Sequence, residues 1–192
     1  VTHAVEQSIS RMTYEGESGA LMEAISDIMG EIIEDWYNDS PKRLYPDILR
    51  HWDIPLEISL KWLDGDISWI FGTVGELERN LADPSSVLQG DGLPYPTKYK
   101  DENWRKSQNY DPEAQFSDHG GVHSNCTVIS HAAYLMTQPS VDETKYEPLS
   151  TYDLAQLFYK SLYGISKSDI SFSEFRNVLV YTAYSMCQTG ML

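Results

Sequence analysis

Residues 18–36 read SGALMEAISDIMGEIIEDW. Within them Leu21, Ile25, Ile28, Met29, Ile32 and Trp36 recur at helical spacing, which predicts an amphipathic α-helix with one buried stripe. At 100° per residue, Glu23, Asp27 and Glu34 fall within roughly 40° of one another on the opposite side. The helix therefore carries an acidic face. Two carboxylates at i,i+4 repel by a few tenths of a kcal/mol on a solvated helix. Taken alone, Glu23 and Asp27 read as a solvated face, and only a nearby cation would turn that cost into a gain.

Working outward, residues 38–62 mix prolines with short apolar runs and read as a loop with brief helical turns. Residues 83–121 are rich in Asp, Gly, Pro and Asn and read as a long surface connection, where functional groups are often carried. Beyond it, Cys126 to Thr137 is an apolar helical run. Ser150-x-x-Asp153 predicts a capped helix continuing through Lys160, and Ser171-x-x-Glu174 a capping box ahead of Phe175 to Cys187. Few segments alternate as strands do. The fold class expected is mainly α, with helices packed around one core.

The chain has 192 residues, enough for one sizeable core and short for two ordinary domains, so residues 1–192 are expected to form a single domain. No run of about 18 apolar residues offers a membrane span. With 14 Lys and Arg against 29 Asp and Glu, the formal net charge of -15 repels nucleic acid and anionic membranes and favours divalent cations. Neither nucleic acid nor a membrane is expected as a partner. Cys126 and Cys187 are too few for a disulfide scaffold and are not at a zinc-motif spacing. One bridge or two buried thiols are both open.

Three further stretches carry chemistry. His3 lies upstream of Glu23, so the two could converge on one metal. In DHGGVHSN, residues 118–125, two glycines allow a tight turn before a helix; His123 could then project from the first helical turn, oriented by Asp118. Such a histidine can donate a proton or a hydrogen bond to a developing charge, although a histidine near a helix start is more often structural. Arg79 could clamp a carbonyl or carboxylate, the plainer alternative being a surface salt bridge.

Together these stretches resemble the thermolysin family of zinc metallopeptidases. That family carries H-E-x-x-H on one helix and a glutamate about 20 residues further on, a spacing that THAV with His3 and ESGALMEAISD with Glu23 matches. The resemblance implies that His3 and Glu23 are zinc ligands and that Asp27 orients the first zinc histidine. That histidine and the catalytic glutamate would precede Val1. It further implies that Tyr14 is the active-site tyrosine, that His123 with Asp118 is the proton-donor pair, and that Arg79 binds the substrate carbonyl beside the S1′ pocket. Glu34 matches a calcium ligand of the family, with Asp64 and Asp66 as candidate partners, so calcium is a second expected ion beside zinc.

The implied fold is the α-helical C-terminal lobe of a secreted endopeptidase. Its partners would be a peptide or protein substrate and a β-rich N-terminal lobe that completes the cleft. With His3 and Glu23 as its only ligands, the 192-residue chain alone is expected to bind zinc weakly and to be inactive. The sequence departs from the family in two places: Met22 stands where an asparagine usually supports the second zinc histidine, and Glu78 where the S1′ pocket is usually apolar. The alternative these departures support is a non-catalytic binding or structural relative that keeps the helical lobe.

Overall fold

The computed structural model describes residues 2–44, 69–73, 76–106, 118–139 and 147–191, with the backbone alone for 35–44 and for 70–73 and 76–78. Five α-helices account for most of it: α1 (Thr2–Ile9), α2 (Gly16–Leu44), α3 (Asp118–Met136), α4 (Thr151–Leu162) and α5 (Phe172–Gln188). A two-stranded antiparallel sheet, β1 (Ile70–Thr73) with β2 (Glu76–Asn80), and a 3-10 turn at Pro84–Ser86 lie between α2 and α3. The mainly α expectation holds. Among the described residues no helix is long and apolar enough to cross a membrane.

The central helix α2 packs against all four others, most extensively against α3. Leu21, Ile25, Ile28 and Ile32 of its predicted stripe are buried, as are Ala20, Met22 and Ala24 on other sides. Being enclosed by several elements, the first half of α2 has no broad solvent face. Glu23 and Asp27 are consequently buried rather than solvated, while Glu34, nearer the open end, is exposed. The helical backbone also runs on through Asn38, Asp39, Ser40 and Pro41 to Leu44, which corrects the loop expected over 38–44. Residues 45–62, the rest of that expected loop, lie outside the described residues.

Two close approaches set the geometry around α2. A Cβ at Gly19 would stand 2.6 Å from Val122 Cγ1 and 2.9 Å from the Tyr14 carbonyl carbon, so glycine lets α3 and the α1–α2 link both reach the start of α2. Glu17 of the first turn accepts from the Phe172 N–H at 2.7 Å and the Tyr99 hydroxyl at 2.8 Å, joining α2 to the start of α5 and to the connection before α3. Phe158 of α4 and Phe175 of α5 meet with ring centroids 6.0 Å apart, both fully buried. Each contributes about 1.5–3 kcal/mol by leaving water.

The predicted helix starts are borne out. Ser150 accepts from the Asp153 N–H and starts α4, and Ser171 with Glu174 forms a reciprocal capping box that starts α5. The β-hairpin was not expected, and it matters because it carries Arg79. Its register slips between Phe71 and Gly72, which face Arg79 and Leu77. Glu78 is thus the extra residue of a bulge, a local kink that re-aims its neighbour. Both cysteines are free: Cys126 is buried and Cys187 exposed, so neither a bridge nor a pair of buried thiols describes them.

Candidate metal and catalytic site

Every residue expected in the site except Glu34 comes to one region between α1, α2, β2 and the start of α3. On α1, His3 and Glu6 are one turn apart and share a face; on α2, Glu23, Ser26 and Asp27 do the same. His3 Nε2 stands 3.3 Å from Glu23 Oε1. Two ligands on a tetrahedral zinc at 2.0–2.1 Å would be separated by roughly 3.3 Å, so the pair fits one zinc coordination sphere. Among the described residues no group of three or more His, Cys, Asp or Glu side chains is arranged to hold a metal. A metal held by His3 and Glu23 would need further ligands from outside the described residues.

On the other side of Glu23 lie the proton-bearing groups. The Tyr14 hydroxyl donates to Glu23 Oε1 at 2.5 Å and lies 3.2 Å from His123 Nε2. Burial and the neighbouring Glu23 carboxylate raise the Tyr14 pKa further, which keeps the phenol a hydrogen-bond donor. His123 Nε2 is itself 3.5 Å from Glu23 Oε2. Its other nitrogen, Nδ1, is 2.5 Å from Asp118 Oδ1, while Asp118 Oδ2 accepts from the His123 backbone N–H at 3.0 Å. The hydrogen bond to Asp118 raises the His123 pKa, outweighing the opposing effect of burial.

The turn that makes this possible is the one anticipated in DHGGVH. His119, Gly120 and Gly121 have φ of 48°, 84° and 84°, a left-handed run from which the regular helix departs. A Cβ on Gly121 would fall 2.4 Å from Arg105 Cβ. Arg105 is held there by Asn125, which accepts from its backbone N–H at 2.9 Å and donates to its carbonyl at 2.8 Å.

Arg79 is not on the surface. Its Nε and one terminal nitrogen donate to Asp27 at 2.7 and 2.8 Å, both side chains being almost wholly buried. Burial raises the Asp27 pKa and the Arg79 hydrogen bonds pull against that rise. Four carboxylates, Glu6, Glu23, Asp27 and Glu31, are buried among the described residues, with Arg79 the buried cation. A divalent ion would offset that excess.

Glu6, Ser26 and His119 were not foreseen. Glu6 is fully buried, and its Oε2 is 3.2 Å from His3 Nδ1. Ser26 donates to Glu6 Oε1 at 3.2 Å and lies 3.1 Å from the same His3 nitrogen. Burial pushes Glu6 up to about 8, against the Ser26 hydrogen bond and assisted by the charges of Glu23 and Asp27. The only signal for them in sequence is spacing, since Glu6 follows His3 and Ser26 follows Glu23 by three residues. The His119 ring stands edge-on to Tyr14 at 5.3 Å. Met22 is buried in the apolar core.

Glu34 lies 11 residues beyond Glu23 on the same helix, roughly 16 Å along its axis, and does not join the site. Its expected partners Asp64 and Asp66 lie outside the described residues. Glu78 lies on β2 directly before Arg79, with its side chain outside those described.

Comparison with known proteins identifies the family. Residues 10–190 match the thermolysin metallopeptidase alpha-helical domain. The thermostable neutral protease NprT of Geobacillus stearothermophilus is 28% identical over 184 residues, covering 95% of this chain and 27% of the relative. Thermolysin of Alicyclobacillus acidocaldarius gives the same identity and coverage. Bacillolysin of Bacillus cereus is 34% identical over 136 residues, 71% of this chain and 18% of the relative. The chain belongs to the thermolysin metallopeptidase family, as its alpha-helical domain, and spans about a quarter of the length of most of these relatives.

Proposed function

We propose that residues 1–192 act as one helical domain of a secreted zinc endopeptidase, joined in the full-length protein by an N-terminal lobe that completes the cleft. The observation that carries this is the 3.3 Å approach of His3 Nε2 to Glu23 Oε1, bordered by Tyr14 and His123. His3 and Glu23 would hold the metal with ligands from outside this chain. What zinc supplies in such a site is Lewis acidity, which polarises a carbonyl and acidifies water.

The chain's own residues have separate tasks. His123, with Nδ1–H held by Asp118, presents Nε2–H to the negative oxygen that develops on a peptide carbonyl under attack. Tyr14 turns its hydroxyl from Glu23 to the same oxygen. Two such preorganised donors stabilise the charge where it develops and not in the ground state. Arg79, braced by Asp27, binds a neighbouring substrate carbonyl.

Chelation of the full-length protein should abolish hydrolysis of a peptide library, and added zinc should restore it. Metal-independent cleavage would refute the proposal. The 192-residue polypeptide alone should bind zinc weakly and turn nothing over. Met22, which brings no polar atom to His3, favours a second reading as a non-catalytic relative; full-length protein that retains no zinc and cleaves no peptide would establish that one. Calcium bound through Glu34 is a further proposal, tested by whether calcium removal lowers the melting temperature and whether Glu34→Gln removes that dependence.

A further inference from the structure

We propose that Glu6 and Ser26 form a clamp on His3 that fixes its tautomer and thereby sets the metal affinity of the site. Both are positioning residues, and the proposal rests on the reading of His3 and Glu23 as zinc ligands.

The argument is one of donors and acceptors. Ser26 has one hydroxyl hydrogen, and it is directed to Glu6 Oε1. Glu6 Oε2 and the Ser26 oxygen both face His3 Nδ1, at 3.2 and 3.1 Å. With Glu6 ionised and so an acceptor only, both contacts are favourable together when Nδ1 carries the hydrogen and shares it between them. Nε2 of the neutral ring then has a bare lone pair, directed toward Glu23 Oε1. Two lone pairs at 3.3 Å with no hydrogen between them repel, and a cation between them removes the repulsion. The clamp therefore holds His3 ready for a metal.

A carboxylate on the remote nitrogen of a metal-binding histidine is the common way to fix ring orientation and raise ligand basicity. Here the need is plain, because the His3 side chain is 45% exposed and packing alone does not hold it. Glu6, by contrast, is fully buried. A buried carboxylate costs stability, so a purely structural role would be filled as well by an apolar side chain of similar size.

The test is made on the full-length protein. Zinc affinity is measured by chelator competition for wild type, Glu6→Leu, Glu6→Gln and Ser26→Ala, and the His3 tautomer by nitrogen-15 NMR of the metal-free forms at a pH where Glu6 is ionised. Glu6→Leu should weaken zinc binding about 10–100-fold. It should leave the metal-free melting temperature unchanged or higher, and His3 should lose its uniform Nδ1–H form. Glu6→Gln, which retains a carbonyl acceptor, should keep most of the affinity, and it stands in if the leucine variant does not fold. Zinc affinity within about threefold of wild type for both Glu6→Leu and Ser26→Ala, or an Nε2–H tautomer in wild type, would overturn the clamp alone. A wild type that holds no zinc at all would overturn the metal-site reading and the clamp with it.

Discussion

Removing Asp27 should leave the buried Arg79 guanidinium without its carboxylate partner. The side chains of Arg79 and Asp27 are 6% and 2% exposed and share two hydrogen bonds of 2.7 and 2.8 Å. In Asp27→Ala the guanidinium loses both carboxylate oxygens, and water reaches it poorly. Two charge-assisted hydrogen bonds at about 1.5–3 kcal/mol each give about 3–6 kcal/mol. The penalty for breaking a buried ion pair by deleting one member gives about 3–5 kcal/mol. The two ranges overlap at about 3–5 kcal/mol. With a urea dependence of about 2 kcal/mol/M, the midpoint should fall by about 1.5–2.5 M. The double variant Asp27→Leu/Arg79→Met removes both charges and should recover to within about 1 kcal/mol of wild type, or exceed it. Urea unfolding followed by tryptophan fluorescence measures both. A loss below about 1 kcal/mol for Asp27→Ala would mean that the pair is solvated and that Arg79 is not braced.

Four other outcomes follow from the same structure. His123→Ala deletes one donor to the developing oxyanion and should lower kcat by about 10²–10³-fold, measured by steady-state hydrolysis with the zinc content checked. Asp118 raises the His123 pKa, so the protonated ring persists to higher pH and activity is lost as pH rises through that raised value; in Asp118→Asn the alkaline limb of the kcat/KM profile should move to lower pH, and an unmoved limb would contradict the pairing. Gly121→Ala meets both a left-handed φ of 84° and a Cβ 2.4 Å from Arg105 Cβ, and should destabilise by about 1–3 kcal/mol in thermal unfolding. Ser171→Ala removes the capping box and should cost about 1 kcal/mol while leaving zinc affinity unchanged.

Local rules were legible in the sequence where the determinants are local. The caps at Ser150 and Ser171 depend on residues within one turn, and the D-x-G-G-V-H turn depends on glycines that tolerate positive φ; all three form as expected. What escaped was set by tertiary surroundings. Periodicity assigned Glu23 and Asp27 to the face opposite the apolar stripe, but α1, β2 and α3 bring His3, Arg79 and His123 against that face. The hairpin was missed because its strands are only four and five residues long and one contains a bulge. Nothing local singles out Glu6, which is enclosed only by the arrival of α2 with Ser26. The helix through Pro41 overrode a turn signal that is stronger in sequence than in the folded chain.

The most direct test of zinc at His3 and Glu23 is anomalous diffraction at the zinc edge from crystals of the full-length protein. One peak within about 2.0–2.2 Å of both His3 Nε2 and a Glu23 carboxylate oxygen is the predicted result. Zinc found elsewhere, or no peak in crystals grown with zinc present, would contradict it.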